Sequence, residues 1–181
     1  MESKMLKPKN ESETVEPRSS TKEGATKALV ELAYGIDVDN IAVETTQRAS
    51  DILCDGMAVL LHGIDHHTVH VIASYLKHRE PQYGVDVIGH SFRAALPDAA
   101  YLYGCAIHSN DFEPMFLPPT HAVSPVLAPL MAIAQAKSIS GKTFLKAFIA
   151  GIQFEAGLRD CLLYTSPSPR DLSTSRMPSS A

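Results

Sequence analysis

The stretch HHTVHVIASYLKHR, residues 66–79, repeats its apolar side chains at Val69, Ile72, Ala73 and Leu76, the i, i+3, i+4, i+7 spacing of one helix face. The neighbouring segments keep the same period. Upstream, Ile52, Gly56 and Leu60 form a stripe with Leu53 and Met57 beside it, which predicts a helix that follows Asn40 and ends near Gly63. Further back, Ser20-Thr21-Lys22-Glu23 fits the S-x-x-E capping box, and Ala25, Leu29, Leu32 and Ala33 recur at helical spacing until Gly35. Downstream, Tyr83 to Ile88 alternates weakly, as a short strand or an extended connection does. Pro97 suits the first turn of a fourth helix through Ala100, Leu102, Cys105 and Ala106. Ser109 to His121 contains Pro114, Pro118 and Pro119 and reads as an ordered loop between helices. Ser124-Pro125 is expected to restart a helix as cap and first residue, with Val126, Leu130, Ile133 and Ala134 as its stripe. Ser140 is expected to cap a last helix carrying Phe144, Phe148 and Ile152. The expected fold class is all-α.

Of the 181 residues, 45% are hydrophobic, enough for one domain to bury a core. With 16 Lys and Arg against 20 Asp and Glu, the net charge is -4. No global basic field is present to hold nucleic acid or an anionic membrane surface, so neither is expected as a partner. The longest mid-chain stretch without Asp, Glu, Lys or Arg runs from Pro114 to Ala136, and its prolines and His121 disqualify it as a membrane span. Cys54, Cys105 and Cys161 are too scattered for a disulfide framework and suit a reducing compartment. The cytoplasm is expected, with the mitochondrion as the alternative.

Residues 1–22 mix both charges without an apolar run and read as a disordered leader. Residues 23–160 form the helical domain. After Asp160 the character changes: Cys161 to Ala181 has six serines, three prolines and no helical stripe. Cys161–Asp171 and Ser175–Ala181 can both be written in codons that resemble the two parts of a transposase-type sequencing-library adapter around a short index. Residues 161–181 are therefore expected to be a non-native translation, the natural chain continuing differently past Asp160. In such a truncated chain Phe144 and Phe148 are expected to lack their partners and to bind a hydrophobic dye.

Three constellations bear on chemistry. Val85-Asp86-Val87-Ile88-Gly89-His90-Ser91-Phe92-Arg93 places G-x-S after a short strand, like the nucleophile elbow of a serine hydrolase, with Asp111 and His121 in triad order. Arg93 replaces the closing glycine and the βα alternation of a hydrolase sheet is missing, so Ser91 is expected to be a loop residue. His62, His66, His67 and His70 suggest a metal site, but Asp65 is the one other ligand at matching spacing and a solvated helix start is expected instead. No phosphate loop, H-E-x-x-H or C-x-x-C is present, and neither a cofactor nor a metal is expected. The third constellation is Gly104-Cys105-Ala106-Ile107-His108-Ser109-Asn110-Asp111-Phe112-Glu113-Pro114, followed by Pro119-Thr120-His121. A proline-stiffened loop between two helices can aim Asp111 and His121 into one cleft, as general acid/base work requires. The alternative is that Asp111 caps a helix and His121 is a satisfied loop histidine in a non-enzymatic helical interaction module.

This run, with its H-x-x-D-F-[DE] pattern followed by T-H and a Pro/Leu-rich helix, resembles the MmgE/PrpD family, which includes 2-methylcitrate dehydratase and cis-aconitate decarboxylase. Asp51-Ile52-Leu53-Cys54-Asp55-Gly56 is similar to the family's D-x-x-x-D helix. Leu96-Pro97-Asp98-Ala99-Ala100 is similar to the stretch before its N-G motif, and Gly151 to Arg159 to its G-x-x-x-E-x-x-x-R helix. The resemblance implies an N-terminal part of a helical domain, truncated, from a metal-independent and cofactor-free lyase. Such a lyase eliminates water or CO2 from a small polycarboxylate such as 2-methylcitrate or cis-aconitate, and its full-length parent is expected to be a homodimer. Asp111 and His121 match catalytic positions, Met115 and Thr120 are implied substrate contacts, and Arg93 is the one cation near the loop in sequence. The fragment alone is expected to be inactive. Three departures bear on the substrate: Met115 stands where cis-aconitate decarboxylases carry a threonine, Glu113-Pro114 replaces the commoner Asp-Asp, and Tyr103-Gly104 replaces Asn-Gly.

Overall fold

The chain builds its helices around one apolar layer. The computed structural model describes residues 22–165, except 38, 80 and 117–119. Six helices are found among them: α1 (Lys22–Gly35), α2 (Val43–Gly63), α3 (His67–Leu76), α4 (Leu96–His108), α5 (Val123–Ala136) and α6 (Gly141–Thr165). Two antiparallel ribbons of two-residue strands interrupt them. The first pairs β1 (Val85–Asp86) with β2 (Arg93–Ala94), and the second pairs β3 (Met115–Phe116) with β4 (Thr120–His121). Residues 1–21 of the expected leader, with Ser20 and Thr21 of the expected capping box, lie outside the described residues, as do 166–181, while Lys22 and Glu23 begin α1. None of the described helices is long and apolar enough to cross a membrane.

Helix α4 is the hub. Ala99, Leu102, Tyr103, Ala106 and Ile107 are all buried along it, so it packs against α5, α2 and α3 at once. Each large apolar side chain buried this fully contributes about 1.5–3 kcal/mol. The α2–α4 crossing is close enough to need glycine: a Cβ on Gly63 would lie 1.8 Å from the carbonyl oxygen of Ala106. Tyr103 replaces the apolar contact with a polar tie. Its hydroxyl accepts from the Ile88 N–H at 3.1 Å and donates to Gln135 Oε1 at 2.9 Å, while Gln135 Nε2 donates to the Asp86 carbonyl at 2.9 Å. The tyrosine thus pins the first ribbon and α5 to α4. Burial pushes its phenol above the usual value, against the opposing hydrogen bond from Ile88.

Several expectations need correcting. Ser109 to His121 is not loop throughout, because β3 and β4 pair within it. Helix α5 starts at Val123 behind Ala122, which offers no side-chain cap, so Ser124 and Pro125 stand inside the first turn. Ser140 does cap α6, its Oγ accepting from the Thr143 N–H at 3.1 Å. Phe148 is 1% exposed and belongs to the core, and Phe144 packs against it, so neither stands without partners. Large exposed apolar groups occur elsewhere, among them Leu61 on α2 and Val71 and Tyr75 on α3.

Candidate functional site

The C-terminus of α4 and the N-terminus of α5 meet beside the second ribbon, and His108, Asp111, Glu113 and His121 sit in that junction. His108 is the last residue of α4. The Ser109 N–H closes the final turn on Cys105, and the Asp111 N–H donates to the His108 carbonyl at 3.0 Å. Asp111 adopts φ of 55°, the left-handed conformation that a short polar side chain tolerates and that reverses the chain. After this reversal Glu113 points inward. Its side chain is wholly buried, and Oε1 accepts from the Ser124 N–H at 3.1 Å. The carboxylate therefore supplies the acceptor that the first turn of α5 lacks, and the helix dipole favours its charge.

Two imidazoles complete the cluster. His108 Nδ1 lies 3.3 Å from Glu113 Oε2, and His121 Nδ1 lies 3.7 Å from Glu113 Oε1. The opposite nitrogen of His121, Nε2, is 3.5 Å from Asp111 Oδ1. The two rings stand almost perpendicular, 86° apart, with centroids 4.6 Å from each other. These distances to His121 are longer than good hydrogen bonds, and its Nδ1 is buried without a hydrogen-bond partner. The negative charge of Glu113 reaches α6: burial first, and Glu113 second, push the Glu155 carboxyl above the ordinary value. Asp111 is exposed and His108 half exposed, so the cluster is open to solvent on one rim while its carboxylate is sealed. Beside it an apolar groove of about 460 Å³ runs between α4 and α5, lined by Tyr101, Gly104, Cys105, His108, Ser124 and Ala128 among others.

The expected dyad is thus brought together, Asp111 on the turn and His121 on β4. Thr120 precedes His121 on the same strand, and Met115 pairs with His121 across the ribbon, its side chain mostly exposed. Arg93 is not brought to them. It sits on β2, where it donates to the Gly84 carbonyl and pairs with Asp86 across the ribbon at 3.5 Å. The concavity it lines, with Lys77, His78 and Ser91, includes neither Asp111 nor His121. Ser91 occupies the turn between β1 and β2, so a strand follows it where a nucleophile elbow requires a helix. Of the four clustered histidines, His66 caps α3, its Nδ1 accepting from the Thr68 N–H at 3.3 Å, and His62 stacks on Phe112. The group of potential metal ligands that does converge among the described residues is His108, Glu113 and His121.

Sequence reasoning missed Glu113 and His108 as partners of the dyad. The signal was present, because His108, Asp111 and Glu113 fall within six residues and Glu113 precedes a proline that stiffens its approach.

Comparison with known proteins gives the family. The MmgE/PrpD N-terminal domain profile matches residues 27–174. Mouse cis-aconitate decarboxylase is 30% identical over 138 residues, which cover 74% of this chain and 28% of the mouse protein. The human cis-aconitate decarboxylase is 28% identical over 138 residues, covering 74% and 29%. A cis-aconitate decarboxylase-like protein of Aspergillus oryzae is 31% identical over 149 residues, covering 77% and 30%. The chain spans less than a third of the length of these curated relatives. With the profile covering most of its residues, the chain belongs to the MmgE/PrpD family.

Proposed function

We infer that the junction of α4 and α5 is the proton-handling part of a lyase site that removes CO2 or water from a small polycarboxylate, without a resident metal or cofactor. The observation that carries this reading is His121 held between two carboxylates, Asp111 at 3.5 Å on Nε2 and Glu113 at 3.7 Å on Nδ1. An imidazole can take or give a proton at neutral pH. In decarboxylation the C–C bond to the departing CO2 breaks, the electron pair stays on the substrate carbon, and His121 delivers the proton that ends there. In dehydration one group removes the carbon-bound proton and another protonates the departing hydroxyl. Exposed Asp111 faces the solvent rim where substrate enters, and it orients His121 or exchanges the proton with it.

The named activity of the relatives, cis-aconitate decarboxylation, supports the carboxylate-rich substrate class. With Arg93 engaged on the first ribbon, the cations that bind substrate carboxylates come from the portion of the parent this chain does not span. On this reading the chain alone is inactive. Sequencing the transcript across the codon for Asp160 recovers that parent. In it, Asp111→Asn and His121→Ala should each lower turnover of cis-aconitate or 2-methylcitrate by roughly 100-fold or more. Near-normal rates in both variants would overturn the reading.

A further inference from the structure

We propose that His108, Glu113 and His121 form a binding site for a divalent transition ion of the zinc type. The ligand atoms all lie within 4.8 Å of one another, and the two histidine-to-carboxylate separations are 3.3 and 3.7 Å. Tetrahedral zinc with bonds of about 2.0–2.1 Å sets its ligands about 3.3 Å apart, so both histidine-to-carboxylate separations are within tenths of an ångström of that value, and the widest ligand pair closes by up to about 1.5 Å as the half-exposed His108 turns inward.

Three independent features point to a cation. Glu113 is a fully buried carboxylate whose hydrogen-bonded partners are a backbone N–H and one imidazole, so a positive charge at the cluster centre offsets its desolvation. His121 Nδ1 is buried with no hydrogen-bond partner, so no hydrogen bond has to break for it to bind an ion. The far nitrogen of the same ring faces Asp111, the outer carboxylate that orients a metal-bound histidine. His108 is 55% exposed, which provides an entry path and leaves a fourth position for water. Two imidazoles with one carboxylate favour zinc over the oxygen-seeking magnesium and calcium ions.

An ion held there occupies the lone pairs that proton transfer requires, so it would silence the lyase site rather than run it. The proposal concerns the same residues as the proton-handling reading, but it is read without substrate. Failure of metal binding therefore leaves that reading standing.

The test titrates zinc chloride into the 181-residue chain by calorimetry, with cobalt(II) absorption reporting geometry and far-UV circular dichroism checking each variant's helicity. One ion per chain is expected, with the intense visible bands of a tetrahedral cobalt site. His108→Ala removes a half-exposed ring without opening the core and should weaken binding more than tenfold, as should Glu113→Gln. Asp111→Asn should weaken it by roughly 10-fold through loss of the outer partner. His67→Ala and His78→Ala should change nothing. Equal weakening by the His67 or His78 variants, an unaffected His108→Ala, or a pale octahedral cobalt spectrum overturns the proposal.

Discussion

Gly63→Ala tests whether α2 and α4 cross as closely as described, and the junction that places His108 depends on that crossing. The new methyl carbon would lie 1.8 Å from the Ala106 carbonyl oxygen and 2.7 Å from its carbon. Carbon and oxygen approach no closer than about 3.3 Å even in favourable C–H···O contacts, so the helices must part by roughly 1.5 Å. A gap of about 0.5–1 Å already forfeits a quarter to a half of each dispersion contact along the seam. Overpacking costs about 1–3 kcal/mol, and a clash with backbone rather than a flexible side chain belongs at the upper end. The better helix propensity of alanine offsets at most about 1 kcal/mol. The net loss of about 2 kcal/mol lowers Tm by roughly 4–8 °C for a chain of this size. Thermal unfolding followed by circular dichroism measures it. A Tm equal to or above that of the unsubstituted protein would refute the close approach, since propensity alone would then decide the sign.

Other substitutions probe the remaining links. Phe148→Ala empties a fully buried aromatic position on α6 and should cost about 3–5 kcal/mol in urea unfolding; a loss under about 1 kcal/mol would mean that α6 is not docked on the core. Glu155→Gln has a pH signature. Burial and then the Glu113 charge raise this carboxyl above its ordinary 4.5, so its protonated form favours folding at low pH and its ionised form opposes folding once pH passes the raised value. The substitution should therefore raise Tm at neutral pH and lose that advantage as pH falls toward 4.5; a gain that does not vary with pH contradicts the assignment. Tyr103→Phe leaves the Ile88 N–H and Gln135 without their shared hydroxyl and should cost about 1–3 kcal/mol, read as a shifted urea midpoint.

The helices were legible because their burial is periodic. Val69, Ala73 and Leu76 face the core in the register their spacing announces, and Pro97 enters α4 where its missing N–H costs nothing. Ser140 was readable as a cap because the acceptor and the helix it serves are neighbours in sequence. Ser124 misled for the opposite reason. The acceptor for that turn is Glu113, eleven positions earlier, and no local pattern announces a cap delivered by a distant side chain. The same fact hid the burial of Glu113, since a glutamate before proline in a loop is ordinarily solvated. Two-residue strands are too short to alternate, so the ribbon carrying His121 left no periodic trace. Arg93 shows the converse limit. Proximity along the chain suggested a substrate cation, but the turn at Gly89, with φ of 77°, folds it back onto Asp86.

Nitrogen-15 spectroscopy of the His121 side chain looks most directly at an imidazole gripped by two carboxylates. The geometry predicts His121 resonances that move in both Asp111→Asn and Glu113→Gln while those of exposed His67 stay in place. His121 signals that are identical in all three proteins and match those of His67 would contradict it.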